Sequence, residues 1–248
     1  MANCDSNHKE IMSSHKNIFK FIICGTDTDI GKTLISSFFV KGLNSFYWKP
    51  IQSGIESQTD SQTVEKLAQL SKEKIIKEAY VFTKPLSPHW AAEIDQKTIN
   101  FEKLRLPKVQ GSLIVETAGG LMVPITRNFL QIDQIKQWDL PVILVCKSSL
   151  GTLNHTLLSI EALKRRNIEI LGLVVNGEKH LDNPRTLVDF SGIPLITEFP
   201  YIKKIDSNNL DILWKELDIK NKLNETFGFK NSNSRLAPKY LATFYTNH

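Results

Sequence analysis

Short apolar runs alternate along the chain with segments in which apolar residues recur at helical spacing. The runs have the length and composition of buried strands. They occupy residues 19–24, 45–48, 112–116, 141–146, 168–175 and 194–196. Helical segments begin near residues 32, 60, 150 and 210. This alternation predicts an α/β fold with a single doubly wound, mainly parallel sheet and helices on both faces.

A loop bounded by glycines joins the first strand to the first helix. It reads Gly-Thr-Asp-Thr-Asp-Ile-Gly-Lys-Thr over residues 25–33. A strand, a loop of this kind and a helix together form a phosphate-binding loop. Gly31 lets the backbone approach a phosphate, Lys32 reaches phosphate oxygens, and Thr33 offers a hydroxyl to Mg²⁺. The pattern therefore predicts a fold like that of the P-loop nucleotide hydrolases.

The spacing of this loop departs from the standard signature. Five residues separate Gly25 from Gly31 where the signature has four, so Thr26 stands at the position of the first glycine. The alternative is a chance Gly-Lys-Thr turn. The helix that follows is predicted to end at Gly42.

Two polar segments follow the second strand. Lys49 and Ser53 come at its end, where parallel strands bring side chains towards the phosphate loop. The alternative for Lys49 is a surface lysine before a turn-forming proline. Asp60 stands where a helix begins, either as a carboxylate that holds Mg²⁺ at the same edge or as an N-cap acid.

Glu116 ends the apolar run at residues 112–116 and precedes Thr-Ala-Gly-Gly. Nucleotide hydrolases and phosphotransferases place a metal-binding carboxylate at such a strand end. The alternative is a solvated acid before a tight turn. Because a phosphate loop already exists in the chain, the metal role is favoured.

Composition limits the classes of protein that fit. The chain has 248 residues with 41% hydrophobic content, which suits one large domain, predicted over residues 18–225. A disordered extension is expected at 1–17 and a tail without assigned role at 226–248. The net charge of +5 is spread along the chain, so no nucleic-acid partner is predicted. No apolar run approaches a membrane span, and the scattered cysteines suit a cytoplasmic protein.

Five motifs in one order make the chain resemble the dethiobiotin synthetase family over residues 19–217. They are the loop at 25–33, Trp-Lys-Pro-Ile-Gln-Ser-Gly at 48–54, Ser-Pro-His at 87–89, Glu-Thr-Ala-Gly-Gly at 116–120 and Leu-Gly-Thr-Leu-Asn-His at 150–155. The longer loop is itself a mark of that family.

The resemblance implies site residues. It makes Lys49 and Lys32 catalytic and places Thr33, Asp60 and Glu116 around Mg²⁺. It assigns the substrate to Thr28, Ser53, Leu150, Gly151 and Asn154. It assigns ATP to Asp29, Ile30, Gly31, Lys32, Thr33, Leu34, Asp60, Glu116, Thr117, Ala118, Gly119, Asn176, Gly177, Pro200, Tyr201 and Ile202. Of these, Asn176 and the segment at 200–202 would contact adenine.

The resemblance also implies a reaction. The family is an ATP- and Mg²⁺-dependent homodimeric ligase that joins 7,8-diaminononanoate and CO₂ into the cyclic urea of dethiobiotin, with ADP and phosphate as the other products. A helix start at residues 150–154 would grip the substrate carboxylate across the dimer. Two residues depart from the family pattern. Thr117 replaces a glycine beside the phosphates, and Gly177 replaces a common aspartate after Asn176.

Two other functions share the loop. A partition or septum-positioning ATPase switch usually carries an extra lysine early in the loop, where this chain has Thr26 and Asp27. A cobyrinate-amidating enzyme needs a glutamine-hydrolysing domain, for which 248 residues leave no room. The ligase is therefore the favoured hypothesis.

Overall fold

The structure is a computed structural model that describes residues 17–55 and 58–232, with side chains as far as Gly228. The predicted extension at 1–17 lies outside the described residues except for Asn17. Residues 233–248 of the predicted tail also lie outside them.

The described residues form a central sheet and two small strand pairs. In chain order the strands are β1 (Lys20–Gly25), β2 (Phe46–Trp48), β3 (Ile51–Ser53), β4 (Ile75–Ile76), β5 (Tyr80–Phe82), β6 (Leu113–Glu116), β7 (Pro124–Thr126), β8 (Phe129–Leu130), β9 (Val142–Lys147), β10 (Ile170–Gly177) and β11 (Leu195–Pro200). Seven parallel strands form the central sheet, in the order β11-β10-β9-β1-β6-β2-β4. The small pairs are parallel β3 with β5 and antiparallel β7 with β8.

Along the chain, most helices come between two strands. They are α1 (Lys32–Leu43), α2 (Asp60–Ala68), α3 (Pro88–Ile94), α4 (Gln131–Trp138), α5 (Thr152–Arg165), α6 (Asn183–Ser191), α7 (Ser207–Glu216) and α8 (Ile219–Ser232). Short 3₁₀ turns lie at Lys72–Lys74 and Phe101–Leu104. Within the described residues, no helix combines the length and apolarity needed to cross a bilayer.

Both faces of the sheet are covered by helices. Side chains alternate along β1, so Phe21 and Ile23 pack with α1, α2, α7 and α8, whereas Ile22 and Cys24 pack with α4, α5 and α6. Each of these side chains is completely buried, and burying an isoleucine or phenylalanine side chain contributes about 1.5–3 kcal/mol. The predicted doubly wound, mainly parallel α/β fold is confirmed.

The strand order determines where a ligand can bind. β1 lies between β6 and β9. The strands of this sheet that follow β1 up to β6 lie on one side of it, and β9, β10 and β11 lie on the other side, so the strand order reverses at β1. Crevices at the carboxyl ends of strands, next to such a reversal, are the usual binding sites of open α/β sheets. The loop after β1 therefore lies where a ligand is expected to bind in such a sheet.

Helix α1 continues through the glycine that was predicted to end it. Its last residue is Leu43, and Asn44 adopts the left-handed conformation after it. Gly42 serves packing, because a Cβ atom there would lie 2.1 Å from the indole of Trp214 in α7. The same indole packs edge-on against Phe38 at 5.3 Å between ring centroids.

Replacing two helical glycines with alanine is expected to change the stability of the protein in opposite directions. Alanine usually stabilises a helix relative to glycine by about 1 kcal/mol. We expect Gly228→Ala in α8 to raise the free energy of unfolding by about 0.5–1 kcal/mol, because a Cβ there meets nothing within 4 Å. Gly42→Ala should instead lower it by about 1–3 kcal/mol through overpacking. Urea unfolding of both variants measures this, and equal effects would contradict the packing of Trp214.

Helix α8 extends the folded domain beyond residue 225. It ends at Ser232, and the ring of Phe227 packs edge-on against Phe19 at 5.1 Å. Phe19 immediately precedes β1, so this contact ties α8 to the central sheet.

Candidate active site

A cavity of about 970 Å³ opens at the carboxyl ends of β1, β2 and β6. The loop before α1, the start of α2, the segment after β3 and residues 85–88 at the start of α3 also line it. It brings together many of the predicted site residues: Thr28, Asp29, Gly31, Lys32, Thr33, Lys49, Ser53, Asp60, Glu116, Ala118 and Gly119.

Lys49 follows β2 and is buried, with 7% of its side chain exposed. Its ammonium donates to Glu116 Oε1 at 2.9 Å and to Asp60 Oδ2. Burial alone would lower the pKa of Lys49, but the carboxylates of Glu116 and Asp60 outweigh burial and raise it above its usual value. Lys49 is therefore a permanent cation at neutral pH, and the alternative of a surface lysine is wrong.

Asp60 is the first residue of α2, yet Thr59 caps that helix. Thr59 Oγ1 accepts from the backbone N–H of Gln62 at 3.3 Å, and Gln62 Oε1 accepts from the N–H of Thr59 at 2.8 Å. This reciprocal capping box leaves the Asp60 carboxylate to bind Lys49. Burial would raise the pKa of Asp60, but the charge and hydrogen bond of Lys49 lower it. The N-cap alternative for Asp60 is wrong.

Glu116 is completely buried at the end of β6, so the alternative of a solvated acid is wrong. Its Oε1 accepts from Thr33 Oγ1 and from Lys49 Nζ, each at 2.9 Å. Its Oε2 accepts from the hydroxyl of Tyr47 at 2.9 Å. Burial, followed by the negative charge of Glu116, raises the pKa of Tyr47 well above its usual value, so its hydroxyl remains a donor. Tyr47 was not predicted as a site residue.

The oxygen donors of this cavity suit Mg²⁺. The Lys49 ammonium contacts the carboxylates of Asp60 and Glu116, and the Thr33 hydroxyl donates to Glu116. Among the described residues, no cluster of three or more His, Cys, Asp or Glu side chains forms a closed metal cage. Mg²⁺ typically binds one or two carboxylates together with substrate phosphates, which fits this set.

The backbone of the phosphate loop is shaped by Gly31 and Asn176. Gly31 has φ of 90°, in the left-handed region, and immediately precedes α1. Asn176 Nδ2 donates to the carbonyl of Ile30 at 2.8 Å, and a Cβ on Gly31 would lie 2.1 Å from that nitrogen. Only glycine fits here without moving Asn176.

Lys32 is buried beside the loop and donates from Nζ to the carbonyl of Asp27 at 2.7 Å. Burial, followed by the positive charge of Lys49, lowers the pKa of Lys32 to about 8. A phosphate would stabilise the protonated form.

The low pKa of Lys32 makes nucleotide binding depend on pH. We expect ADP affinity to be steady below about pH 8 and to fall above it by up to about tenfold per pH unit, because binding must then take up a proton. Calorimetric titration between about pH 7 and 9.5 measures this. Lys32→Arg remains charged throughout and should show no decline in that range. A wild-type ADP affinity that does not change across this pH range would contradict the assignment of Lys32 to the phosphates.

A second cavity, of about 520 Å³, lies beside Asn176 at the ends of β9 and β10. Four predicted residues line it: Leu150, Asn176, Gly177 and Tyr201. Gly177 has φ of 129°, and a Cβ there would lie 2.7 Å from Ser148 Oγ. This explains locally why the chain has glycine at this position.

Comparisons with known proteins show to which family this chain belongs. A family described as "AAA domain" matches residues 20–209. The ATP-dependent dethiobiotin synthetase BioD of Brucella anthropi is 45% identical over 196 residues, covering 79% of this chain and 92% of that protein. The chain belongs to the dethiobiotin synthetase family. The synthetase of Rhodopseudomonas palustris strain HaA2 is 44% identical and covers 76% of this chain and 89% of its own.

The family match confirms the predicted family and favours the ligase over the switch ATPase. Among solved structures, the MinC:MinD cell division protein complex of Aquifex aeolicus has 12% identity and a TM-score of 0.48. That match covers 90% of this chain and 99% of that one.

Some residues that the dethiobiotin synthetase resemblance assigned to the site line neither cavity. Ile30 is buried, Leu34 and Ile202 pack against the core, and Pro200 is exposed. Gly151 immediately precedes α5 and Asn154 is exposed on that helix. Thr117, expected to add a side chain beside the phosphates, is buried and donates to the carbonyl of Ile23 at 3.4 Å.

Proposed function

We propose that this chain is an ATP-dependent ligase that makes dethiobiotin in biotin biosynthesis. It closes the ureido ring from 7,8-diaminononanoate and CO₂ and releases ADP and phosphate. The observation that carries the proposal is the buried Lys49, held between Glu116 and Asp60 in the cavity that the phosphate loop also lines. A cytoplasmic location is part of the proposal, since the reaction consumes ATP.

The nucleotide and metal roles rest on the loop. We assign the phosphates to the segment from Asp29 to Leu34, with the backbone near Gly31 and the charge of Lys32 facing them. Thr33, Asp60 and Glu116 would hold Mg²⁺. A bound Mg²⁺ would neutralise charge on the nucleotide phosphates. The second cavity would take the adenine, beside Asn176.

The reaction forms and breaks bonds in three stages. One amine of the diamine attacks CO₂ and loses a proton, which gives a carbamate anion. A carbamate oxygen then attacks the γ-phosphorus, and the bond to ADP breaks. The second amine attacks the carbamate carbon and loses a proton, and the carbon–oxygen bond to phosphate breaks as the ring closes.

Lys49 and Lys32 provide positive charge where negative charge develops. Lys49 stays protonated, so it stabilises the carbamate and the transferred phosphoryl group and does not act as a base. Ser53 Oγ is buried and has no hydrogen-bond partner among the described residues, which supports its assignment to the substrate together with Thr28.

The substrate carboxylate is assigned to the start of α5. Leu150 is fully exposed and lies outside the larger cavity, as do Gly151 and Asn154. A second copy of the chain would therefore have to supply these residues, and a homodimer is part of the proposal.

Release of ADP under complete and incomplete conditions tests the proposed function. We expect ADP release only when ATP, Mg²⁺, 7,8-diaminononanoate and bicarbonate are all present, with dethiobiotin formed in equal amount. ADP release that is the same without the diamine would instead indicate a switch-type ATPase and overturn the proposal.

A further inference from the structure

Tyr47 is a completely buried tyrosine whose hydroxyl faces the site. It lies on β2, opposite Ile114 of the neighbouring β6. It precedes Lys49 by two residues, and the side chains of both residues donate to Glu116. Its hydroxyl donates to Glu116 Oε2 at 2.9 Å, across 69 residues of sequence.

The two oxygens of Glu116 have different partners. Oε1 accepts from Thr33 and Lys49, two residues that line the larger cavity. Oε2 accepts from Tyr47. Without the Tyr47 hydroxyl, the buried Oε2 would lose its hydrogen bond. The carboxylate would then rotate so that Oε2 shares the hydrogen bonds from Thr33 and Lys49.

We propose that Tyr47 is a positioning residue, which fixes the Glu116 carboxylate so that Oε1 faces Thr33, Lys49 and the metal-bearing side of the cavity. Tyr47 acts through Glu116 and does not touch the substrate. This inference rests on the proposed function, because it assumes that Glu116 serves a metal–nucleotide complex.

Tyr80 provides a matched control. It is also buried, with 8% exposure, and its hydroxyl accepts from the N–H of Asn100 at 2.7 Å. It lies on β5, paired with β3, and does not line either cavity. Tyr80→Phe and Tyr47→Phe therefore remove the same group from similarly buried positions, and both should lower the melting temperature.

The test compares how strongly Mg²⁺ improves ADP binding in each variant. ADP affinity is measured by calorimetry with Mg²⁺ and with a chelator, and the ratio of the two affinities reports the coupling without turnover. We expect Tyr47→Phe to reduce this ratio by about tenfold, the order of one hydrogen bond to a charged group. Tyr80→Phe should leave the ratio at the wild-type value. A folded Tyr47→Phe protein with the wild-type ratio would overturn the inference.

A second substitution and a double variant complete the design. Tyr47→Met also lacks the hydroxyl, and its flexible side chain fills the space differently, so it should show the same reduction. In a Glu116→Gln background, Tyr47→Phe should cause no further reduction, because its effect passes through Glu116. If neither Tyr47→Phe nor Tyr47→Met folds, the hydroxyl serves folding and the inference fails.

The wild-type protein separates this inference from the proposed function. A wild-type ratio of one would remove the metal role of the site and the role of Tyr47 with it. A large wild-type ratio that Tyr47→Phe leaves unchanged would remove the role of Tyr47 alone.

Discussion

Replacing Lys49 with glutamine is expected to abolish dethiobiotin formation while ADP still binds. Turnover should fall by about a hundredfold to a thousandfold or more, the size seen when a group that stabilises developing negative charge is removed. ADP binding should survive because the charge of Lys49 lowers the pKa of Lys32, so its loss leaves Lys32 more fully protonated. Turnover and ADP affinity, measured on the same preparation, check this.

The control for this variant is Lys41→Gln. Lys41 is also largely buried, with 11% of its side chain exposed, and pairs with Asp211 at 3.1 Å in α7. It lies outside the cavity, so its loss should leave turnover near the wild-type rate. Near-normal turnover in the Lys49 variant would contradict the catalytic role of Lys49. A Lys41 variant that is equally inactive would point to a general effect on folding.

Replacing Glu116 with glutamine is expected to raise the Mg²⁺ concentration that half-saturates turnover by about tenfold to a hundredfold. The change keeps the volume of the side chain but removes its negative charge beside Thr33 and Lys49. The relevant measurement is turnover against Mg²⁺ at saturating ATP.

Asp133→Asn is the matched charge removal outside the cavity. Asp133 lies in α4 and pairs with Arg166 at 3.1 Å. The dependence of turnover on Mg²⁺ in the Asp133→Asn variant should equal that of the wild type. If Glu116→Gln also keeps the wild-type dependence, Glu116 does not serve the metal.

The central strands can be predicted closely from sequence for a physical reason. Parallel strands covered on both faces are continuous apolar runs, and those at β1, β6 and β9 are clear in the chain. The small pair of β3 and β5 is not, because each strand has only three residues and their pairing joins segments far apart in sequence.

The site is predictable in part. Residue type and strand position indicate Lys32, Lys49 and Glu116, because parallel strands gather their carboxyl ends at one edge. Tyr47 was missed because its contact with Glu116 requires β2 and β6 to be neighbours in the sheet. The order of strands along the chain does not show which strands are neighbours. The available signal was its place on the predicted strand, two residues before Lys49 at the end of that strand.

Local contacts decide the roles of two residues near helix ends. Asp60 could have been an N-cap, but Thr59 and Gln62 satisfy the start of α2 and leave Asp60 to Lys49. Gly42 looked like a helix end because glycine is common there, whereas it makes room for Trp214.

The fate of one oxygen atom tests the proposed chemistry most directly. Bicarbonate labelled with ¹⁸O is supplied with ATP, Mg²⁺ and 7,8-diaminononanoate in unlabelled water, and the phosphate is analysed by mass spectrometry in a single turnover, before the label exchanges with solvent. We predict that the phosphate carries ¹⁸O, because a carbamate oxygen attacks the γ-phosphorus and leaves with it when the ring closes. Phosphate without the label would mean that water attacks the nucleotide, and would contradict the ligase.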